Sequence, residues 1–331
     1  MNYKRNTLKS LGLIIFFIIA IPFCMDAQTI SVHDPVMIRQ DSTYYIFCTG
    51  MGISVWSSND MKNWKKEQPV FEKAPDWALK AVPLFKGHIW APDITYYKGK
   101  YYLYYSVSAF GKNTSCIGVA TNTTLHSTDP AFHWTDHGKV IQSIPGKDLW
   151  NAIDPNLAFD ETNTPWLVFG SFWSGIKLVK LNEDLLRIAE PEEWYTLAKR
   201  PRSFQADDRD PGEGAIEAPF IFRKGDWFYL FTSVDYCCRG TKSNYKIMVG
   251  RSEKITGPYF DQSGQRLDQG GGTILLEGNS DWPGIGHNSV NTFDKTDYCI
   301  FHGYDAHDNG KPKLLIRKIT WNQAGWPEIE L

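Results

Sequence analysis

Cysteine is scarce in this sequence, and its spacing excludes two classes of protein. The 331 residues contain six cysteines, at positions 24, 48, 116, 237, 238 and 299. No pair has the CxxC spacing of a zinc site, and the odd, scattered set beyond residue 27 does not form a disulfide framework. We interpret the adjacent Cys237 and Cys238 as two ordinary thiols, with a strained vicinal disulfide as the alternative.

The sequence also has no basic cluster. The formal net charge is −2, and it becomes −4 when residues 1–27, which carry +2, are removed. Without a basic patch, nucleic acid is excluded as a partner. Hydrophobic residues make up 42% of the chain and charged residues 22%, so the chain can bury a core and is not disordered.

A long apolar run occurs once, over residues 11–23, after three cationic residues and shortly before Ala27. This run is too short to cross a membrane comfortably, and the layout of residues 1–27 is typical of a secretory signal peptide. We therefore expect a secreted or periplasmic protein without a membrane span in the mature chain. The alternatives are an uncleaved membrane anchor and lipidation at Cys24.

Aromatic residues are abundant, at 15% of the chain, and five segments that contain many of them share one plan. Each has a polar or proline-containing opening, a short apolar stretch, a polar turn and an aromatic strand, which together predict a hairpin. The five segments read HDPVMIRQDSTYYIFCTG, APDITYYKGKYYLYYSVS, IDPNLAFDETNTPWLVFGS, EAPFIFRKGDWFYLFTS and HNSVNTFDKTDYCIFHG.

The hairpins recur every 57 to 70 residues, which leaves room for about four strands in each repeat. Further strands are predicted at 115–122, 175–181 and 245–252, and helical periodicity is confined to 74–80 and 182–199. We predict an all-β, five-bladed β-propeller with blades of about four antiparallel strands, formed by residues 28–331 as a single domain. A β-sandwich or a solenoid is the alternative.

In a propeller, the first strand of each blade lines the central channel, so the residues that open these strands meet at one mouth. We assign Asp34, Asp154 and Glu217 to the same slot in blades one, three and four. Ala91 with Asp93 fills this slot in blade two, and His287 fills it in blade five.

Three carboxyl groups in one pocket acquire separated pKa values, which acid–base chemistry on a glycosidic bond requires. The alternatives are structural Asp-Pro turns and a calcium site. Glu213, which lies outside the register of the other openings, is the rival of Glu217.

The motifs HDP, WAPD, IDPN, EAP and GHNS, in this order and at these distances, resemble glycoside hydrolase family 43. Residues 235–259 resemble its endo-acting α-1,5-L-arabinanases in particular, and the likeness spans about residues 30–320. The resemblance implies hydrolysis with inversion, with Asp34 as general base, Glu217 as general acid and Asp154 as the group that tunes and positions the acid. It also implies an ion, most often calcium, near His287 and no organic cofactor. The alternative is a histidine that is only hydrogen-bonded in the channel.

Substrate contacts are predicted from positions at the ends of strands and on loops. The candidates are Trp90, Asp93, Phe110, Trp173, Arg239, Asn288 and Ser289. The aromatic members of this set are equally suited to packing between blades.

We expect a monomeric endo-α-1,5-L-arabinanase that acts on the arabinan side chains of pectin. The alternatives are an exo-arabinanase, an α-L-arabinofuranosidase or a β-xylosidase on the same fold, and a sugar-binding propeller without turnover. An open groove suits internal cleavage, whereas a loop such as 200–214 could close one end and favour terminal sugars.

Overall fold

The computed structural model describes Met1 and residues 28–331, so the predicted signal peptide lies outside the described residues. Strands dominate the described part of the chain. The α-helix α1 covers Asp76–Ala81, and short 3₁₀ turns cover Gly240–Lys242, Leu267–Gln269 and Ala306–Asp308. Among the described residues, none of the helices is long and apolar enough to cross a membrane.

The first three blades are antiparallel sheets whose strands follow one another in chain order. Blade one contains β1 (Val36–Gln40), β2 (Thr43–Cys48), β4 (Ser54–Ser58) and β5 (Lys65–Lys66). Blade two contains β6 (His88–Tyr97), β7 (Lys100–Val107), β8 (Ser115–Asn122) and β9 (Thr135–Ser143), with the short β3 (Gly50–Met51) paired to β6. Blade three contains β10 (Asn156–Phe159), β11 (Pro165–Phe169), β12 (Ile176–Lys180) and β13 (Trp194–Ala198).

The last two blades complete the repeat. Blade four contains β14 (Ile216–Lys224), β15 (Trp227–Val234), β16 (Lys246–Ser252) and β17 (Thr273–Leu276). Blade five contains β18 (Ile285–Phe293), β19 (Thr296–Asp305) and β20 (Lys311–Lys318), and a ribbon of β21 (Thr320–Trp321) and β22 (Pro327–Glu328) follows. The strands predicted at 115–122, 175–181 and 245–252 are therefore confirmed as β8, β12 and β16.

The innermost strands form a closed ring. β1 contacts β6, β6 contacts β10, β10 contacts β14, β14 contacts β18, and β18 returns to β1. The segment that precedes β1 seals this closure, because the Leu314 amide of β20 donates a hydrogen bond of 3.0 Å to the carbonyl oxygen of Ile30. The predicted five-bladed β-propeller is confirmed, although blade five has three strands rather than four.

Apolar cores lie between neighbouring blades. Each core joins side chains of two adjacent sheets, with the representative pairs Phe47 and Leu103, Tyr104 and Leu167, Val168 and Leu230, Phe231 and Phe301, and Ile300 and Ile46. The second strand of each hairpin is covered on both faces, which explains why these strands are runs of aromatic and branched residues rather than alternating patterns.

One helical prediction is confirmed and the other is wrong. The pattern at 74–80 corresponds to α1, Asp76–Ala81, whereas the region 182–199 forms a turn followed by β13. In that region the Asn182 amide bonds to the Arg187 carbonyl oxygen and the Ala189 amide returns to Lys180, so the segment is a tight loop back to the sheet. Pairing of β13 with β12 at the edge of blade three therefore outweighs the helical periodicity of the apolar residues in this segment.

Candidate active site

Each innermost strand is preceded or opened by one residue with left-handed backbone geometry. These residues are Asp34 (φ 53°), Ala91 (φ 44°), Asp154 (φ 58°), Ala218 (φ 53°) and His287 (φ 51°). In blades two, four and five the pairing with the second strand shifts at this point, so the residue lies in a β-bulge. A bulge re-aims side chains at the end of a strand. In these three blades Trp90, Glu217 and His287 are the residues of the bulge that face the channel mouth.

This geometry corrects the slot assignment in blade four. Ala218, and not Glu217, occupies the position equivalent to Asp34 and Asp154. Glu217 is the residue before the slot, which in blades one and two is His33 and Trp90. The Pro at positions 35, 92, 155 and 219 gives the true register, since it follows the slot residue in four blades.

In most blades the amide of the left-handed residue donates a hydrogen bond to a polar side chain at the end of the preceding hairpin's second strand. This bond stabilises the strained backbone. Thr49, Ser106 and Ser233 accept from the amides of Ala91, Asp154 and His287 at 2.9, 3.0 and 2.8 Å. His302 Nδ1 accepts from the Asp34 amide at 3.2 Å, and Asp154 Oδ2 accepts from the Ala218 amide at 3.1 Å. These polar residues can be recognised in the sequence, because each of the five aromatic strands ends in a triplet that contains Thr, Ser or His. The triplets are CTG, YSV, FGS, FTS and FHG.

A cavity of about 970 Å³ opens at this mouth and is lined from all five blades. Eight of the predicted site residues line it: Asp34, Asp154, Glu217, His287, Trp90, Phe110, Trp173 and Arg239. The ring of blades therefore brings together side chains that are separated by up to 253 positions in the sequence.

Asp34 is a buried carboxylate surrounded by donors. Its Oδ1 atom lies 2.7 Å from His33 Nδ1 and 3.0 Å from His287 Nδ1, and its Oδ2 atom accepts from the Thr49 hydroxyl at 2.5 Å. Burial alone would raise the pKa of Asp34, but the imidazoles of His287 and His33 hold this pKa well below its usual value. Asp34 is therefore ionised at neutral pH and is able to accept a proton from water.

Asp154 has the opposite ionisation. Burial, opposed by His287 and reinforced by the charges of Glu217 and Asp34, raises the pKa of Asp154 to about 8. Asp154 therefore keeps its proton at neutral pH, whereas Asp34 in the same cavity is ionised. Such a division between two carboxyl groups is the arrangement that acid–base catalysis needs.

Glu217 is held by two hydroxyl groups. Tyr245 donates to its Oε1 atom at 2.8 Å and Ser171 donates to its Oε2 atom at 2.7 Å. Because Asp154 binds the amide of the next residue, Ala218, the two acidic residues are coupled through backbone as well as through charge. The rival glutamate, Glu213, is exposed and is not part of the cavity lining.

His287 lies between the carboxyl groups. Burial lowers its pKa, but Asp34 and Asp154 outweigh this effect and raise the pKa to about 9. The imidazole is therefore a cation at neutral pH and forms an ion pair with Asp34. The surroundings match the hydrogen-bonded histidine that the sequence left open as an alternative.

The predicted calcium site fits this surrounding poorly. Calcium takes six to eight oxygen ligands, whereas His287 offers one nitrogen. Within residues 28–331, the candidate metal-ligand groups centre on His33, with Cys237 and Cys238 or with Asp34 and His302, and neither contains His287. The first group is a disulfide rather than a pair of thiolates, and the second is committed to hydrogen bonds. An ion near His287 stays a prediction.

The predicted substrate contacts divide into two groups. Trp90, Phe110 and Arg239 line the cavity, and Phe110 is 80% exposed at its rim. Trp173 also lines it but is 2% exposed, and its indole donates at 2.9 Å to the carbonyl oxygen of Asp208. Trp173 therefore anchors the loop 200–214 against blade three.

The structure does not bring Asp93, Asn288 or Ser289 into the cavity lining. Asp93 is 3% exposed and accepts from Asn156 Nδ2 at 3.2 Å and from the Leu157 amide at 2.8 Å, so it ties blade two to blade three. The Ser289 hydroxyl donates to the Pro35 carbonyl oxygen at 3.2 Å, and Asn288 is buried. Beyond the bulge, Asp93 and Ser289 therefore contact the neighbouring blade instead of the mouth.

The interpretation of the adjacent cysteines as thiols is wrong. Cys237 and Cys238 form a disulfide, and both line the cavity. The other described cysteines, Cys48, Cys116 and Cys299, are buried and free. Sequence reasoning also missed His33, Thr49 and Tyr304, because their contacts cross between blades.

Comparisons with known proteins agree with this geometry. The model of the family described as glycosyl hydrolases family 43 matches residues 28–327. The chain is 52% identical over 304 residues, 92% of this chain and 88% of the relative, to an extracellular exo-α-(1→5)-L-arabinofuranosidase of Cellvibrio japonicus. It is 44% identical over 300 residues, 89% of this chain and 87% of the relative, to an extracellular endo-α-(1→5)-L-arabinanase of Bacillus subtilis.

A solved structure extends the likeness to three dimensions. It is that of the Cellvibrio cellulosa α-L-arabinanase complexed with arabinohexaose, and it superposes with a TM-score of 0.90 at 51% identity. The match covers 92% of this chain and 96% of that one. The family model, the relatives and the fold agree, and the chain belongs to glycosyl hydrolase family 43.

Proposed function

We propose that this protein hydrolyses α-1,5-linked L-arabinan with inversion at the anomeric carbon. The observation that carries the proposal is the meeting of Asp34, Asp154 and Glu217 in one cavity, where the pKa of Asp34 is held well below its usual value and that of Asp154 is raised to about 8. Family membership and the names of the relatives supply the reaction class and the sugar. Linear arabinan is neutral, and the cavity rim offers aromatic side chains on which its sugar faces can pack.

The roles follow from the surroundings of each carboxyl group. Asp34 acts as the general base, since the donors around it keep it ionised and fixed while it removes a proton from the attacking water. Glu217 acts as the general acid and gives its proton to the leaving oxygen. Asp154 tunes and positions this acid, because it interacts with Glu217 through charge and its Oδ2 atom holds the Ala218 amide. In an inverting enzyme the water attacks from the side opposite the leaving group, so base and acid work in one concerted step.

Cleavage of internal bonds is the mode that we propose first, as expected from the likeness of residues 235–259 to endo-acting enzymes. Tyr236, Cys237, Cys238 and Arg239 of this segment line the cavity. Cleavage from a chain end is the second candidate, and two observations favour it. The relative with 52% identity is named as exo-acting. Pro211 and Gly212 of the loop 200–214 form part of the cavity wall, and a loop in this position suits a cleft that is closed at one end.

We also propose that the enzyme is exported. The layout of residues 1–27 supports this location, and both relatives named above are extracellular. Arabinan is a polymer outside the cell, so a secreted hydrolase would meet its substrate there. The proposal is checked by the mass of the mature protein, since cleavage after Ala27 leaves a chain that begins at Gln28.

A time course of products from linear arabinan tests the function and the mode together. Release of reducing ends with an inverted anomeric configuration, followed by NMR, is expected. Mixed oligomers at early times indicate internal cleavage, whereas arabinose or one fixed short product indicates cleavage from an end. Binding of arabinan without any product would overturn the hydrolase proposal in favour of a sugar-binding propeller.

A further inference from the structure

The Cys237–Cys238 disulfide lies in the wall of the cavity, beside the residues that hold Asp34. Cys237 is half-buried, Cys238 is exposed toward the cavity, and the Cys238 sulfur lies 3.8 Å from His33 Nε2. A covalent link between neighbouring residues restricts the backbone of both. Cys238 itself has left-handed geometry (φ 64°), which is unusual for a residue with a side chain. The disulfide thus fixes the direction in which the Cys238 amide points.

The Cys238 amide is the start of a hydrogen-bonded chain that ends at the proposed base. It donates at 2.8 Å to the hydroxyl oxygen of Tyr304, which lies 2.9 Å from His33 Nε2. His33 Nδ1 lies 2.7 Å from Asp34 Oδ1. Four residues from three separate segments are therefore linked in one line.

The direction of each hydrogen bond is set by the groups at its ends. His302 is buried, which lowers its pKa well below the usual value, so it is neutral. Its Nδ1 atom accepts from the Asp34 amide, and its proton therefore resides on Nε2, 3.3 Å from the Tyr304 oxygen. That oxygen accepts from the Cys238 amide as well, so the Tyr304 proton is directed to His33 Nε2. His33 then carries a proton on Nδ1 and donates it to Asp34.

The position of His33 in the repeat supports a role at the site. It is the residue before the slot, the place that Glu217 holds in blade four and Trp90 in blade two. Side chains at this place face the cavity in those blades. His33 contacts Asp34 Oδ1 directly, as His287 does, and so acts on the reaction through Asp34. His33 is therefore a positioning residue.

We propose that the Cys237–Cys238 disulfide, through Tyr304 and His33, positions Asp34 for removal of the proton from the attacking water. This inference rests on the proposed function, in which Asp34 is the general base. A broken disulfide frees the Cys238 amide, leaves the Tyr304 hydroxyl without its fixed donor and loosens the imidazole that orients Asp34. Turnover then falls more than the affinity for arabinan does, because the chain acts on the orientation of Asp34.

Three variants test the chain on linear arabinan. Tyr304→Phe removes the central hydroxyl alone, and Cys237→Ala/Cys238→Ala removes the disulfide. Tyr259→Phe is the matched control, because Tyr259 is also a buried tyrosine with one side-chain hydrogen bond, to the Ile255 carbonyl oxygen at 3.0 Å, and lies outside the cavity. For the two test variants we expect kcat to fall about three- to tenfold, the loss typical of one neutral hydrogen bond, with KM within about twofold of the wild type.

A second measurement uses the folded wild-type enzyme, in case a variant fails to fold. A water-soluble phosphine reduces the disulfide to two thiols and is itself oxidised to the phosphine oxide, with water supplying the oxygen and the two protons. We expect the same loss of kcat in the wild type and no effect of the phosphine on the double cysteine variant. Mass spectrometry after alkylation confirms which cysteines were reduced.

The outcomes separate this inference from the proposed function. A wild type that hydrolyses arabinan, with unchanged kcat after reduction and in Tyr304→Phe, overturns the inference and leaves the function standing. A raised KM with unchanged kcat also overturns it, because the disulfide would then be a substrate contact. A wild type that releases no product overturns the function and the inference with it.

Discussion

His287 Nδ1 lies 3.0 Å from Asp34 Oδ1, and this contact moves the pKa values of the two groups apart. The pKa of Asp34 falls well below its usual value, while the pKa of His287 rises to about 9. Both groups are thus charged at neutral pH inside a cavity. The ion pair keeps the proposed base ionised next to Asp154, whose raised pKa keeps it protonated.

Loss of either proposed acid–base group is expected to stop turnover without unfolding the protein. Asp34→Asn and Glu217→Gln should each reduce kcat by at least about 10²-fold, the lower range for general acid–base help, and should leave the protein folded, although Asp34→Asn should lower the thermal transition because it removes the partner of the His287 cation. Glu213→Gln is the matched control, since Glu213 is an exposed glutamate four residues from Glu217. Initial rates on linear arabinan measure the effect. Wild-type turnover in Asp34→Asn would disprove its role as base.

The dependence of activity on pH should reveal the proton that Asp154 retains. Because the pKa of Asp154 is about 8, kcat/KM should decline as the pH rises through about 8. This limb belongs to the Asp154 carboxyl group, which asparagine lacks, so in Asp154→Asn we expect the decline near pH 8 to disappear and the rate to fall. Measurement of kcat/KM between pH 4 and 10 tests this. A limb that stays in place would show that Asp154 does not tune the acid.

Stability should also depend on pH, in a direction fixed by the same groups. In the folded state His287 has a raised pKa of about 9, so its contribution is fully present below about 6.5 and is lost as the pH rises through 9. Asp154 acts in the same direction between about 4 and 8, because the folded protein holds a proton that the unfolded chain has released. The free energy of unfolding should therefore decrease between pH 6.5 and 9.

Urea denaturation of the wild type and Asp154→Asn measures that decrease. Each extra proton held by the folded state changes the free energy of unfolding by up to about 1.4 kcal/mol per pH unit. Asparagine does not titrate, so the variant should show a shallower slope between pH 6 and 8. Equal slopes would mean that Asp154 is ionised in the folded protein.

The sequence predicted the propeller because its signal is repeated: five hairpins at similar spacing leave few other architectures. It also predicted that Asp34, Asp154 and Glu217 share one mouth. The exact slot in blade four was wrong by one residue, since a bulge places Ala218 there and Glu217 before it. Bulges depend on pairing between strands, which a single sequence does not display.

Contacts between blades were the other limit of sequence reasoning. His33 and Tyr304 meet across 271 positions, and neither residue type identifies its partner. The disulfide was missed for a different reason, because adjacent cysteines are compatible with thiols or a bond, and only the local backbone decides. Asp93 was predicted in the correct blade, but it lies beyond the bulge that follows Trp90. Its side chain therefore does not line the cavity.

Asp93 should therefore behave as a structural residue. It is 3% exposed and accepts hydrogen bonds from Asn156 and the Leu157 amide, which would remain buried and unpaired in Asp93→Ala. We expect this variant to lose about 1–3 kcal/mol or more of stability, the typical penalty for buried polar groups without partners. KM for arabinan should be unchanged in the fraction that is folded. A raised KM with intact stability would restore Asp93 as a substrate contact.

Phe110 offers the complementary test at the rim of the cavity. Its ring is 80% exposed and lines the cavity, so it contributes little to the core and is available to pack on a sugar face. Phe110→Ala should raise KM for arabinan by about 2- to 10-fold, the range that corresponds to 0.5–1.5 kcal/mol of aromatic packing, with kcat little changed. Tyr96→Ala is the matched control, because Tyr96 is an exposed aromatic residue, 55% accessible, that is not part of the cavity lining. If both variants keep the wild-type KM, the substrate does not reach Phe110, and the groove used by arabinan must run toward the loop 200–214 instead.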